Sequence, residues 1–107
     1  MVPSNATIAV VGVSFYQEAL AGVTVGDRVF LAHQQDNDYD NFAVVVKNAS
    51  GATVGHLPRE LAPRFSDPAR GGQTGGTWTG NVVELTHFEL QDGSPGVGIR
   101  VRCDAAV

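Results

Sequence analysis

The stretch Ala43-Val44-Val45-Val46-Lys47-Asn48-Ala49-Ser50-Gly51-Ala52-Thr53-Val54-Gly55-His56 decides the fold. It opens as an apolar, β-branched run and closes as a second short run of strand formers. Between them, Asn48 and Ser50 are residues whose side chains bond nearby backbone, and Gly51 stands where a positive φ is expected. The segment therefore reads as a hairpin of two strands, Ala43–Lys47 and Ala52–His56. Immediately upstream lies Asp36-Asn37-Asp38-Tyr39-Asp40-Asn41-Phe42, which sets three carboxylates within five residues around one aromatic ring.

Working outward, Arg28–His33 alternates polar and apolar residues as a half-buried strand does. The run from Thr7 is β-branched and apolar and reads as a strand ending near Phe15, with Gly12 as a bulge or bend. Residues 1–6 read as a loose lead-in, and Tyr16–Leu20 as one helical turn or a loop. Downstream, Pro58 stands at a plausible first helical position, followed by helix-compatible residues to Phe65; Ser66-Asp67-Pro68 stops them. Ala69–Gly76 holds four glycines in eight residues and reads as a flexible loop, leaning to disorder. Thr77–Leu90 reads as a long strand broken near Asn81. Asp92–Gly96 then turns the chain into an alternating closing strand, Val97–Cys103. The expected class is mainly β: a small OB-like or SH3-like β-barrel of about six strands with one or two short helices.

The chain has 107 residues, 43% of them hydrophobic and 17% charged, which suits one domain spanning 1–107. A formal net charge of −4 means that no whole-molecule field draws in a polyanion, so any nucleic-acid contact has to be local. Cys103 is the only cysteine, so no internal disulfide forms and a buried small hydrophobe is its usual role. The longest apolar run near the start, Ile8–Val11, is far too short for a signal segment or a membrane span. A cytoplasmic monomer that does not engage membranes is the expectation.

Several chemistries find no support. Asp36-x-Asp38-x-Asp40 opens like a calcium loop, but Asn41 stands where glycine is needed and Lys47 where a bidentate glutamate is needed. No metal or other cofactor is expected. His33, His56 and His87 lie in separate strands, and no nucleophile motif accompanies them. Gly71-Gly72-Gln73-Thr74-Gly75-Gly76 lacks the lysine of a phosphate cradle. An enzyme is not expected.

Taken in order, four elements resemble a HIRAN domain. They are Gly12-Val13-Ser14-Phe15-Tyr16, Asn37-Asp38-Tyr39-Asp40, Ala43 with its valines, and Gly51-Ala52-Thr53-Val54-Gly55-His56-Leu57-Pro58. The resemblance covers about residues 7–65, leaving roughly 77–103 for closing strands. It is closest in kind to the stand-alone bacterial or phage type, similar to the N-terminal domain of fork-remodelling helicase-like translocases.

The resemblance implies an OB-like barrel carrying a helix, and recognition of the 3′ end of single-stranded DNA in the setting of replication and repair. It implies a DNA-contacting set of Ser14, Phe15, Tyr16, Asn37, Tyr39, Asp40, His56 and Arg59. In that set Asp40 meets the free 3′-hydroxyl, with Asn37 offering its amide to the same sugar or base. Phe15 and Tyr39 sandwich terminal bases, while His56 and Arg59 hold the backbone, Arg59 at a helix start. Each role has a plainer counterpart: core packing for Phe15, an Asx turn for Asp40, a satisfied strand-end histidine for His56 and a solvated arginine for Arg59.

Three departures bear on affinity: Ser14 where DNA-binding members can carry a basic residue, Asp38 in place of proline, and Phe42 at an often polar position. With two phosphates neutralised, log K would fall with log salt at a slope of about −1.4. The other function these residues allow is a protein- or peptide-interaction module using the same groove, including partners within a DNA-processing complex. DNA and RNA are not distinguished at this level.

Overall fold

The computed structural model describes residues 6–104, so the expectation for the lead-in falls outside the described residues except at Ala6. The central hairpin forms as expected, from β3 (Val44–Lys47) and β4 (Thr53–His56), after β1 (Thr7–Ala9) and β2 (Arg28–His33). Asn48 shapes its turn: its carbonyl accepts from the Gly51 N–H at 2.9 Å, and its Oδ1 accepts from the N–H groups of Ser50 and Ala52 at 3.0 Å. Two long strands, β5 (Thr77–Glu89) and β6 (Pro95–Cys103), complete one antiparallel sheet in the order β1-β6-β5-β2-β3-β4. Two single-turn helices flank it, α1 (Gln17–Leu20) and α2 (Pro63–Ser66).

The sheet curls until its outer strands meet. β1 pairs with β6, and Val10 still donates to the Ile99 carbonyl at 3.1 Å. One residue later the chain changes partner: Val11 and His56 exchange both backbone hydrogen bonds at 2.9 Å. Gly55 makes this seam possible, because a Cβ there would lie 2.5 Å from both Val10 Cγ1 and the Val11 carbonyl oxygen.

Inside the curl, Leu31, Val44, Val46, Val54 and Val101 are fully buried. Each such aliphatic side chain contributes about 1.5–3 kcal/mol on leaving water. Phe65 of α2 closes one end, edge-on to Trp78 with ring centroids 5.4 Å apart. Cys103 is buried in the same core, where burial first and the neighbouring Asp104 second push its thiol up.

Three expectations are corrected. The first strand does not run to Phe15: Gly12, at φ 74°, turns the chain into a 3-10 turn at Val13–Phe15. β-branched composition reads as strand whether or not a partner exists, and here the partner ends at the seam. The helix expected from Pro58 starts instead at Pro63, because residues 58–62 are used in a tight turn closed by Leu61 and Ala62 donating to the Pro58 carbonyl. The glycine-rich segment is hydrogen-bonded along its length. Gly72 donates to the Asp67 carbonyl, Gln73 to the Phe65 carbonyl and Gly75 to His33 Nδ1.

Candidate nucleic-acid interface

The seam leaves a cleft of about 300 Å³ beside the Val11–His56 bridge, lined by Val11, Asn37, Tyr39, Asp40, Ala43, His56, Leu57 and Arg59. Its floor is apolar, and its rim carries one carboxylate, one guanidinium, one imidazole and one phenol. Five residues of the sequence-derived set, Asn37, Tyr39, Asp40, His56 and Arg59, thus converge from two separate segments, with Val11 added from a third.

The acidic loop is built before it can bind anything. Asn37 Oδ1 accepts from the N–H groups of Tyr39 and Asp40, both at 2.9 Å, and Asp40 Oδ1 accepts from Phe42 N–H at 2.9 Å. The loop is also tied to its surroundings. His33 Nε2 meets the Asn41 carbonyl at 2.6 Å while Gly75 N–H donates to its Nδ1 at 2.8 Å, so the ring is held from both sides. The buried Ser66 hydroxyl donates to the Phe42 carbonyl at 2.8 Å. The loop conformation is therefore set by the protein, which lowers the ordering cost of any ligand it receives.

Within this frame the side chains take distinct positions. Tyr39 is 94% exposed, a flat apolar face held out in solvent. Asp40 is largely covered: Oδ1 serves the loop, and Oδ2 lies 3.8 Å from Arg59 Nε. Arg59 itself is well exposed, so this pair contributes little to stability. Arg59 belongs to the turn before α2 and not to a helix start, so the helix-terminal anion contact expected for it has no basis. Asn37 lines the cleft, but its amide is used within the protein, on the loop backbone and on Gln34.

Phe15 and Ser14 lie elsewhere. They line a second hollow with Leu90, Gln91 and Asp92, where the β5–β6 hairpin turns, and Phe15 is 84% exposed. Tyr16, next to Phe15 in the chain, sets its ring centroid 6.4 Å from that of His56. The carboxylate cluster also divides. Asp36 faces a third hollow with Lys47 and Thr53, while Asp40 faces the cleft. Among the described residues no group of three His, Cys, Asp or Glu is placed to hold a metal ion.

Sequence reasoning passed over two contributors. Val11 forms the cleft wall by changing strand partner, which no local pattern signals. Gln34 binds two other site residues at once: its Oε1 accepts from Asn37 Nδ2 at 3.1 Å and meets His56 Nε2 at 3.1 Å. Burial lowers the His56 pKa, so the ring is held neutral. A neutral ring has one proton, and the Gln34 oxygen takes it. His56 thus does not offer a spare N–H to a phosphate in this state, contrary to the role expected for it.

A curled six-stranded antiparallel sheet with a preformed cleft at its seam defines a small β-rich binding module. The HIRAN domain family model matches residues 5–89, and the chain belongs to that family. Its fold is similar to the crystal structure of the HIRAN domain of human HLTF, with a TM-score of 0.57 and 24% identity over 94% of this chain and 76% of that one. It is also similar to that of a protein from Lactobacillus plantarum, with a TM-score of 0.54 and 22% identity over 92% of each chain. At these identities the likeness is one of fold. A comparison with curated proteins finds no match. No helix among the described residues is long and apolar enough to cross a membrane.

Proposed function

We propose that this chain is a non-enzymatic module that captures the 3′ end of single-stranded DNA in the seam cleft. Family membership supports a nucleic-acid-binding role. The observation that carries the finer reading is the pairing of an exposed ring, Tyr39, with a preformed carboxylate, Asp40, in one cleft.

The chemistry follows from what distinguishes an end from an interior. A terminal nucleotide has a hydroxyl on its 3′ oxygen, whereas an internal one has a phosphodiester. The Asp40 carboxylate accepts a hydrogen bond from the hydroxyl, a charge-assisted contact of about 1.5–3 kcal/mol. It repels a phosphate at the same place. Tyr39 stacks the terminal base for about 1–3 kcal/mol with little sequence preference. Arg59 stands beside Asp40 and meets the preceding phosphate. A strand leaving past Tyr16 reaches Phe15, which stacks a base further from the end, with the Ser14 hydroxyl beside it. Asn37 acts by holding the loop.

The test is amide shift mapping with a single strand of about ten nucleotides, within the range that one OB-like fold covers. The account predicts shifts at Tyr39, Asp40, His56 and Arg59, and at Phe15 only with strands long enough to reach it. Shifts confined to other faces, or none at low salt, would defeat it. The net charge of −4 and the apolar floor of Val11, Ala43 and Leu57 favour a second reading, an extended peptide in the same cleft. That reading predicts no response to DNA at any salt concentration.

A further inference from the structure

The orientation of the Asn37 amide is fixed by groups that cannot reverse. Its Oδ1 faces two backbone N–H groups, those of Tyr39 and Asp40, so its Nδ2 points to Gln34. A donor there requires the Gln34 oxygen, not its nitrogen, at that place. The same Oε1 stands 3.1 Å from His56 Nε2, which must therefore carry the ring proton. The backbone of the acidic loop thus sets the tautomer of a histidine on a different strand, through a single glutamine.

We infer that Gln34 is a positioning residue: it fixes His56 as the Nε2–H tautomer, so that the cleft holds a nucleotide phosphate more tightly once the ring takes a second proton at Nδ1. This rests on the DNA reading above. In the neutral ring Nδ1 is a bare acceptor and has nothing to offer an anion. Protonation gives it an N–H and a positive charge, while Nε2–H stays on Gln34 and the ring keeps its place.

The charged and titratable groups around the ring are few. Tyr16 lies against it, Asp40 and Arg59 share the cleft, and beyond Gln34 stand His33, Asp36 and Lys47. The Gln34 amide is the group in direct contact that a substitution can charge without altering the shape of the side chain.

The experiment has two arms. In the free protein, imidazole nitrogen shifts report the tautomer and the titration of His56. The wild type should show Nε2–H, and Gln34→Met a mixture of both tautomers. Gln34→Glu keeps an acceptor in place and adds a charge that favours the imidazolium, so the His56 midpoint should rise by about one pH unit. In the second arm, affinity for a 3′-hydroxyl strand is followed against pH. Wild-type binding should tighten by about tenfold on protonation of His56, His56→Phe should flatten the profile, and Gln34→Glu should move its midpoint upward with the ring's. Because the new carboxylate weakens binding at every pH, the midpoint is the readout. A wild-type Nδ1–H tautomer, or an unmoved midpoint in Gln34→Glu with amide dispersion intact, overturns the inference. Absence of strand binding at every pH instead defeats the DNA reading, and with it the affinity part of the inference; the tautomer arm still decides what Gln34 does to the ring.

Discussion

Two exposed rings stand on this molecule in different company. Tyr39 rises from a loop whose every turn is tied down, beside a carboxylate and a guanidinium at the seam. Phe15 stands on a 3-10 turn in a separate hollow, with Leu90, Gln91 and Asp92 from the β5–β6 turn. Both surfaces can stack a base, but only the first sets a charge where a chain end would lie. On the proposed function, the difference separates two tasks that a single aromatic patch would confuse: discrimination of an end at the cleft, and added hold on the strand beyond it.

The comparison breaks most severely where both regions depend on the same backbone. Gly55→Ala would force a methyl group to within 2.5 Å of the Val11 carbonyl oxygen and Val10 Cγ1. Opening the seam should cost about 3 kcal/mol or more, beyond the usual range for overpacking. Thermal melts should show this, with binding lost at both rings. Asp40→Ala should sharpen the contrast. It should abolish a preference of about tenfold to a hundredfold for a hydroxyl end over a phosphate end, while a phosphorylated strand binds no worse than before. Tyr39→Ala should weaken both kinds of strand by about 1–3 kcal/mol and leave their ratio unchanged. Phe15→Ala should lower affinity by about 1 kcal/mol, and only for strands that extend past the cleft. Fluorescence titration with short and long strands separates these last two.

The smallest effect concerns the fold alone. The folded His56 pKa lies below its ordinary value of 6.5 because burial disfavours the charged ring. Between that lowered value and 6.5 the unfolded chain binds more protons than the folded one. Stability is therefore complete above about pH 6.5 and declines as pH falls towards the folded pKa. Denaturant midpoints measured on the two sides of that window should show the decline, and His56→Phe should reduce it.

Much of the sheet was legible because its signals are local. Asn48 to Gly51 closes a hairpin with its own side-chain oxygen, and the alternation of Val97–Cys103 matches a strand that buries Ile99, Val101 and Cys103 and exposes Arg100 and Arg102. What misled was long-range. Val10 and Val11 look alike in sequence, yet one pairs with β6 and the other with β4. The glycine-rich segment looks slack, yet it is held by the Phe65 carbonyl just before it and by His33, which is remote from it in the chain.

The site divides in the same way. Motif order brought Asn37, Tyr39, Asp40, His56 and Arg59 to one cleft, but it could not separate Phe15 from Tyr39. Nor could it show that Asn37 faces inward. Gln34 carries no periodic or motif signal, and its importance lies wholly in two hydrogen bonds, one to Asn37 in the adjoining loop and one to His56 on β4.

The central claim is that Asp40 reads a free sugar terminus. Equilibrium binding of one labelled strand of about ten nucleotides, compared with the same strand bearing a 3′-phosphate, tests it most directly. The account predicts tighter binding of the hydroxyl form by about tenfold to a hundredfold. Equal affinity for the two strands would contradict it.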